Sequence, residues 1–113
     1  MAKISYDEEE DILFLSKQRK VKASIEIGDF IIDIDKDNYV SGIEILDASK
    51  NLNIKNNLLK DIKEARMIVN YKPNYVYISL LVLFKNVEKN VAIPLTLDLG
   101  HGKVSKEQTI FAG

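Results

Sequence analysis

Residues 30–46 read FIIDIDKDNYVSGIEIL, which is the pattern of a β-hairpin. Phe30 to Asp35 predicts a strand with one buried face, because Ile and Asp alternate there with a period of two. Lys36-Asp37-Asn38 favours a turn, since Asp and Asn side chains satisfy nearby backbone groups and tolerate positive φ. Tyr39 to Leu46 predicts the partner strand, with a bulge at Gly42. The segment therefore indicates an antiparallel sheet.

The rest of the chain consists mainly of similar short segments. Strands are predicted at residues 3–16 (a hairpin around the acidic turn Asp7–Asp11), Ser24–Ile27, Arg66–Tyr71, Tyr75–Phe84 and Val91–Leu99, with turns at 72–74 and 86–90. Pro94 has no amide hydrogen, so its strand is expected at an edge or at a bulge. Tyr75–Phe84 is apolar on both faces, which is typical of a strand buried on both sides. One of those faces would need a second layer or another copy of the chain.

A change of period predicts one helix. Four apolar residues fall at i, i+1, i+4 and i+7, which is helical spacing: Leu58, Leu59, Ile62 and Ala65. They place a short helix near residues 54–65. The predicted fold class is α+β, a mostly antiparallel β-sheet of about 7–8 strands in hairpins with one short helix. Residues 1–113 are expected to form a single domain, in which a β extension at 66–99 follows the helix and a loose tail occupies 100–113.

Composition excludes several classes of function. The chain has 113 residues, of which 46% are hydrophobic and 29% charged, as in one compact domain. A formal charge of −1 argues against a generic nucleic-acid binder, whose domain is usually basic. There is no cysteine and only one histidine, which excludes disulfides, thiolate zinc sites, cysteine nucleophiles and histidine metal clusters.

Targeting signals are not evident in the sequence. The first residues carry no apolar stretch of the signal-peptide type. The longest nearly uninterrupted apolar run, Tyr75–Phe84, has ten residues, about half of what a transmembrane helix needs. We therefore expect a cytoplasmic protein with no membrane partner.

The acidic segment 33–44 matches the spacing of a calcium loop. Its candidate ligands stand at template positions 1, 3, 5, 7, 9 and 12: Asp33, Asp35, Asp37, Tyr39, Ser41 and Glu44. Ca²⁺ prefers several hard carboxylate oxygens, so the chemistry is reasonable. Two features oppose this interpretation: position 6 is Asn38 rather than glycine, and both flanks are strand-like rather than helical. The alternative is a hairpin whose outward positions are acidic.

Two other segments contain side chains of the kind that catalytic or phosphate-binding sites use. The run Asp7–Asp11 is expected to be a solvated turn. A hydrolase would need any two carboxylates from this run, Asp33, Asp35 or Glu44 to lie about 5–9.5 Å apart in a cleft. Gly100-His101-Gly102-Lys103 resembles a phosphate loop only superficially, because the Walker pattern needs glycine where Leu97 stands and Ser or Thr where Val104 stands.

Three tyrosines, Tyr71, Tyr75 and Tyr77, interleave with Lys72. Aromatic side chains on strands can stack nucleic-acid bases. These tyrosines match no recognition signature, and packing is the alternative role. Nucleic acid is therefore not the expected partner.

Two motifs together resemble an uncharacterised family, domain of unknown function 2283. The first is the run YDEEEDILFL at residues 6–15, and the second is Asp33-x-Asp35 followed by the segment GIEILDAS at residues 42–49. The resemblance covers about residues 4–50, departs from the family at Asn38, where glycine is usual, and does not extend beyond about residue 65. It implies a small β-rich module with a following helix and no established activity.

The function expected from these observations is that of a small non-enzymatic protein-interaction or structural module. Its candidate partners are another protein or a second copy of the chain, which would give a homo-oligomer. A calcium-binding module using the loop 33–44 is the second alternative, and a carboxylate-based hydrolase is the third. No catalytic, cofactor-binding or metal-binding residue is assigned. Charge is uneven, since residues 1–47 hold six basic and twelve acidic residues, whereas residues 48–113 hold ten and five.

Overall fold

A computed structural model describes residues 2–17, 19–73, 75–84, 87–95 and 106–112 of the chain. These residues form nine strands and two short helices, in the order β1 (Lys3–Asp7), β2 (Ile12–Ser16), β3 (Val21–Ile27), β4 (Phe30–Asp35), β5 (Val40–Ile45), α1 (Ala48–Leu52), α2 (Asn56–Leu59), β6 (Ile62–Tyr71), β7 (Val76–Phe84), β8 (Val87–Leu95) and β9 (Lys106–Ala112). The mostly antiparallel α+β class is confirmed, although there are more strands than the predicted 7–8.

The strands form two antiparallel sheets. Sheet A has the order β1-β2-β5-β4-β3, and sheet B has the order β8-β7-β6-β9. Side chains on a strand alternate between its two faces, so each sheet turns one apolar face inward. We call these the inner faces and the opposite sides the outer faces.

The two inner faces share one cluster of buried side chains. In sheet A, Leu13, Leu15, Ile32 and Ile43 belong to it, and β7 adds every second residue from Val76 to Phe84. A fully buried aliphatic side chain stabilises the fold by about 1.5–3 kcal/mol relative to exposure, so this cluster is the main source of stability.

Tyr71 joins the two sheets. Its side chain is only 1% exposed, and its Oη accepts a hydrogen bond from the Val40 amide of sheet A at 2.8 Å. The same hydroxyl donates to Oε1 of Gln108 on β9 at 2.8 Å, and the ring meets Tyr39 edge-to-face with centroids 5.4 Å apart. Burial raises the pKa of the Tyr71 hydroxyl. Because the bond to Val40 is buried and crosses between the sheets, the tyrosine fixes how β5 lies against sheet B.

The hairpin predicted at residues 30–46 is confirmed. Its strands are β4 and β5, and Asn38 in the turn has a φ of +65°. The pairs Asp33–Gly42 and Ile34–Val40 leave one extra residue in β5, so the bulge lies beside Gly42 as expected. A Cβ at Gly42 would stand 2.9 Å from the Leu15 carbonyl oxygen, which explains the glycine.

The helix predicted at 54–65 is confirmed only over α2, Asn56–Leu59, because β6 begins at Ile62. A second short helix, α1, was not predicted, and it ends where Asn53 adopts a left-handed conformation with φ +54°. Ile62 and Ala65 belong to β6, where they pair with Phe84 and Val82 of β7. Their spacing of three fits a helix and not a regular strand, and a register shift between Ile62 and Glu64 lets both residues pair with β7. Neither helix in the described part of the chain has the length and apolarity needed to cross a membrane.

The start of the eighth strand also differs from prediction. β8 begins at Val87, so residues 87–90, expected in a turn, continue the ladder with β7 instead. Its place at the edge of sheet B agrees with the expectation from Pro94, and residues 96–99 lie outside the described residues.

The loose tail predicted at 100–113 is wrong over Lys106–Ala112, which form β9. This strand pairs with β6 from Tyr71–Lys106 to Ala65–Ala112. Ile110 and Ala112 belong to the buried cluster, and their burial stabilises the strand. Residues 100–105 lie outside the described residues.

Candidate functional site

The acidic residues of the calcium-loop pattern serve the hairpin itself. Asp35 is 3% exposed, and its Oδ1 accepts the amides of Asp37 at 2.9 Å and Tyr39 at 3.1 Å. Asp33 Oδ1 accepts the Ser24 hydroxyl at 2.7 Å, and the Ser41 hydroxyl donates to the Asp33 carbonyl at 3.3 Å. These bonds hold the turn and tie β4 to its neighbours.

The carboxylates do not converge on one point. Asp37 is exposed, and Glu44 stands in register between Phe14 and Ile31. In the described ranges, no group of three or more His, Cys, Asp or Glu side chains has the geometry to hold a metal ion. The loop spacing is therefore reproduced without the ligand arrangement that calcium binding needs.

Lys17 is the cation next to Asp35. Its Nζ lies 4.0 Å from Asp35 Oδ2, and both side chains are largely buried. Burial lowers the pKa of the Lys17 ammonium, an effect that the neighbouring Asp35 carboxylate opposes. The pair partly neutralises a carboxylate that sits near the core.

The acidic run Asp7–Asp11 divides into two parts. Glu8, Glu9 and Glu10 are exposed, and Asp7 Oδ1 accepts the Glu10 amide at 3.1 Å, so this part is the predicted turn. Asp11 is half-buried and has a φ of +55°, which turns its side chain away from the other acids.

Asp11 is the centre of a hydrogen-bonded cluster with Tyr6 and Ser49. The Tyr6 hydroxyl donates to Asp11 Oδ1 at 2.6 Å, and the Ser49 hydroxyl donates to Oδ2 at 2.6 Å. The Ser49 amide donates to Oδ1 at 3.0 Å, and the Ala48 amide donates to the Asp11 carbonyl at 2.9 Å. The β1–β2 turn thus supplies the acceptors for the first amides of α1, whose own N-cap, Asp47, makes no side-chain cap bond.

The hydrogen bonds of this cluster shift the pKa values of Asp11 and Tyr6. Burial raises the pKa of the Asp11 carboxyl, but hydrogen bonds from Ser49 and Tyr6 outweigh burial and leave the pKa below its usual value. The pKa of the Tyr6 hydroxyl is raised by burial and by its bond to Asp11. The carboxylate, the phenol and the serine hydroxyl bind one another, and together they hold the β1–β2 turn to the start of α1.

The three tyrosines that could stack nucleic-acid bases do not share one surface. Tyr71 lies in the core, whereas Tyr75 and Tyr77 are exposed. Tyr77 pairs with Asn70 of β6, on the face opposite to Tyr71. The three rings therefore do not form one stacking platform.

The outer face of sheet B carries several apolar side chains at the surface, among polar ones such as Asn70, Ser79 and Asn90. Its central strand β7 was expected to be buried on both sides, yet Tyr77 is 37% exposed, and Leu81 and Leu83 are only half-buried. Ile68 of β6 is also half-buried, and Phe111 of β9 is 50% exposed.

Arg66 lies in the middle of this face, paired in register with Leu81 and Phe111. A shallow hollow beside it is lined by these residues together with Glu64, Leu83 and Glu88. Within the described part of the chain, Arg66 makes no ion pair with either glutamate.

Sequence reasoning did not single out Asp11 or Phe111. Asp11 stands in a run of five similar acids, and no local signal separates it from the other four. Phe111 was missed because its strand follows an irregular segment, although Ile110 and Ala112 hint at a period of two. His101 and the loop 100–103 lie outside the described residues.

Comparison with known proteins gives two relatives, from two organisms. One, from Methanosarcina mazei, is named "Putative hypoxanthine phosphoribosyltransferase" and is 40% identical over 72 residues, which are 61% of this chain and 58% of that protein. The other is an uncharacterized protein of Methanocaldococcus jannaschii, 45% identical over 62 residues, which are 53% of each chain. The chain thus spans little more than half the length of these relatives. No solved structure matches it significantly.

The family comparison concerns sheet A. The matched segment begins with β1 and ends at Ser49, so it contains the five strands of sheet A and every member of the Asp11 cluster. Residues 3–49 match the family described as "Protein of unknown function (DUF2283)", which confirms the resemblance seen in the two sequence motifs.

Proposed function

We propose that the chain is a non-enzymatic protein-interaction module and that it binds its partner through the outer face of sheet B. The observation that carries this proposal is the exposure of Tyr77 and Phe111 on a sheet whose other outer side chains include Ile68, Leu81 and Leu83. Aromatic side chains at the surface are typical of interaction sites, and polar side chains such as Arg66 and Ser79 lie between these apolar ones.

The residue types on this face fit the proposal. Tyrosine, phenylalanine and arginine are enriched at protein interfaces, and a few such residues supply most of the binding energy. Arg66 is exposed beside Leu81 and Phe111, and Glu64 and Glu88 line the same hollow, so a partner that covers this face meets both signs of charge. The fitting partner is therefore a protein surface with apolar side chains for Tyr77 and Phe111 and polar groups for the charged residues around Arg66.

The non-enzymatic part of the proposal is supported by how the acidic side chains are used. Asp11 fixes the start of α1, and Asp35 fixes the turn between β4 and β5. No contact among the described residues favours the calcium or hydrolase alternative over these structural roles.

The test is capture of partners from the native cell by the purified chain and by variants. Phe111→Lys and Tyr77→Lys place a charge on the outer face of sheet B, and both sites are exposed, so we expect stability to change by no more than about 0.5 kcal/mol. Ser5→Lys adds the same charge to an exposed position on β1 and is the matched control.

We expect a protein that is retained by the wild type and by Ser5→Lys but lost from both sheet B variants. Thermal unfolding of each variant verifies that it is folded. Retention of the same proteins at the same levels by all four chains would contradict the proposal.

A further inference from the structure

We propose that a cleft beside the open edge of β9 binds the phosphate group of a small phosphorylated molecule, with Lys17 and Arg19 as its cationic ligands. The cleft is lined by Ala2, Lys17 and Arg19 together with residues 109–111 of β9, and we call it the β9 cleft. Its volume is about 260 Å³, slightly below the range of about 300–1,000 Å³ that is typical for drug-sized ligands, so it fits a small molecule. The proposal does not rest on partner binding by sheet B.

The open edge of β9 supplies backbone donors to this cleft. In the described part of the chain, β9 is an edge strand of sheet B and pairs only with β6. The N–H groups of successive residues in a strand point to opposite edges, so at least one of residues 109–111 directs its N–H away from β6. Backbone groups at the edge of a sheet can form a concave site for anions. Thr109 is also exposed and adds a hydroxyl donor.

The charged side chains of the β9 cleft are both cations. Among the described residues, no acidic side chain lines it, in contrast to the hollow beside Arg66. Arg19 is exposed and makes no hydrogen bond or ion pair with any residue that the structure describes. Its guanidinium therefore keeps all of its donors for a ligand.

Lys17 is only partly neutralised by Asp35. The Lys17 Nζ lies 4.0 Å from Asp35 Oδ2, whereas Asp35 Oδ1 already accepts two backbone amides. Burial lowers the pKa of the Lys17 ammonium, Asp35 opposes this effect, and Arg19 lowers the pKa further, so the two cations repel each other. An anion held between Lys17 and Arg19 would offset this repulsion.

A phosphate group fits this arrangement of charge. A phosphate monoester carries a charge of about −1.5 to −2 at pH 7, which matches two cations. The arginine fork binds phosphate oxygens in a bidentate manner, and a lysine ammonium binds them as a point charge. A nucleic-acid strand fits less well, because the formal charge of the chain is −1, whereas domains that bind nucleic acid are usually basic.

The test is a titration of the folded chain with inorganic phosphate and with glycerol phosphate, followed by the NMR shifts of the backbone amides. We expect saturable shifts at residues 109–111 and at Arg19, with a dissociation constant of roughly 1 mM. Sodium chloride at the same ionic strength should leave these amides unchanged. Arg19→Gln removes the exposed cation and should weaken phosphate binding by roughly tenfold.

Lys20→Gln is the matched control. Lys20 is exposed, follows Arg19 directly and does not line the cleft, so this variant makes the same change of net charge at a different place. It should bind phosphate as the wild type does. Arg19→Lys keeps the charge but loses the bidentate geometry, so its affinity should fall between those of the wild type and Arg19→Gln. Thermal unfolding verifies that each variant is folded.

Three results would overturn the proposal. The first is a wild type without saturable shifts at residues 109–111 for either probe. The second is equal weakening by Arg19→Gln and Lys20→Gln, which would reveal attraction to net charge alone. The third is a single-stranded oligonucleotide that binds more tightly than glycerol phosphate and shifts Lys20 and Lys22, which would assign the surface to nucleic acid. Phe111 lines both the β9 cleft and the hollow beside Arg66, but the variants lie outside sheet B, so failure here leaves partner capture unaffected.

Discussion

Replacing Tyr71 by Phe removes one oxygen atom from the centre of the protein and leaves the ring in place. The Val40 amide then loses the acceptor that it reaches at 2.8 Å, and Oε1 of Gln108 loses its donor. Val40 is fully buried, so its amide has no water to replace the hydroxyl. The variant tests whether this bond between the sheets stabilises the fold.

The expected cost follows from the one buried donor left without a partner. Such a group costs about 1–3 kcal/mol, and we expect about 2 kcal/mol for Tyr71→Phe. Urea unfolding followed by far-ultraviolet circular dichroism measures it. With a slope of about 1–3 kcal/mol per M, typical of a small protein, the midpoint should fall by about 1 M without a change of slope.

The control is Tyr77→Phe, which removes the same oxygen from an exposed ring on the neighbouring strand. It should change the free energy of unfolding by no more than about 0.5 kcal/mol. If Tyr71→Phe also falls within that range, the Val40–Tyr71 bond does not hold the sheets together and the argument from burial is wrong.

Three further predictions concern the turns. Asp11→Asn keeps a residue that tolerates positive φ but removes the charge that Ser49 binds, so it should lower the free energy of unfolding by about 1 kcal/mol at pH 7. Because the folded pKa of Asp11 lies below the ordinary 3.8, this loss of stability should be present above about pH 4 and should shrink as pH falls below it. A difference in urea unfolding that stays constant between pH 7 and pH 3 would contradict the assignment. Gly42→Ala would bring a methyl group 2.9 Å from the Leu15 carbonyl oxygen and should lower stability by about 1–3 kcal/mol in the same assay, whereas an unchanged midpoint would show that the strands can move apart. Millimolar Ca²⁺ should give no binding heat in titration calorimetry, and heat that is abolished by Asp37→Ala, at an exposed position, would favour the calcium alternative.

The structure also shows which features local sequence can specify. The β4–β5 hairpin was predictable because alternation, turn residues and a glycine all lie within one short segment. Helix α1 was not, since its first amides depend on Asp11, far away in the chain. Nothing in the sequence distinguishes Asp11 from four neighbouring acids until the fold brings Ser49 to it.

The errors in the second half of the chain have a common cause. Ile62 and Ala65 fit a helix by spacing, and only pairing with β7 makes them part of a strand. β9 likewise gains order from β6, to which it pairs across a long separation in sequence. The exposed face of sheet B could be anticipated from the apolar pattern of β7, but its extent depends on Phe111, which the sequence did not connect with it.

The two strand orders have a consequence for how the chain folds. Every described strand of sheet A precedes α1, and every described strand of sheet B follows α2, so neither sheet borrows a strand from the other half. Each half can therefore complete its strand pairing without the other, although the β2–β5 and β6–β9 pairs join segments far apart in sequence, and contact between the halves is a separate event. Tyr71 becomes a reporter of that event, because its bond to Val40 can form only when the halves meet.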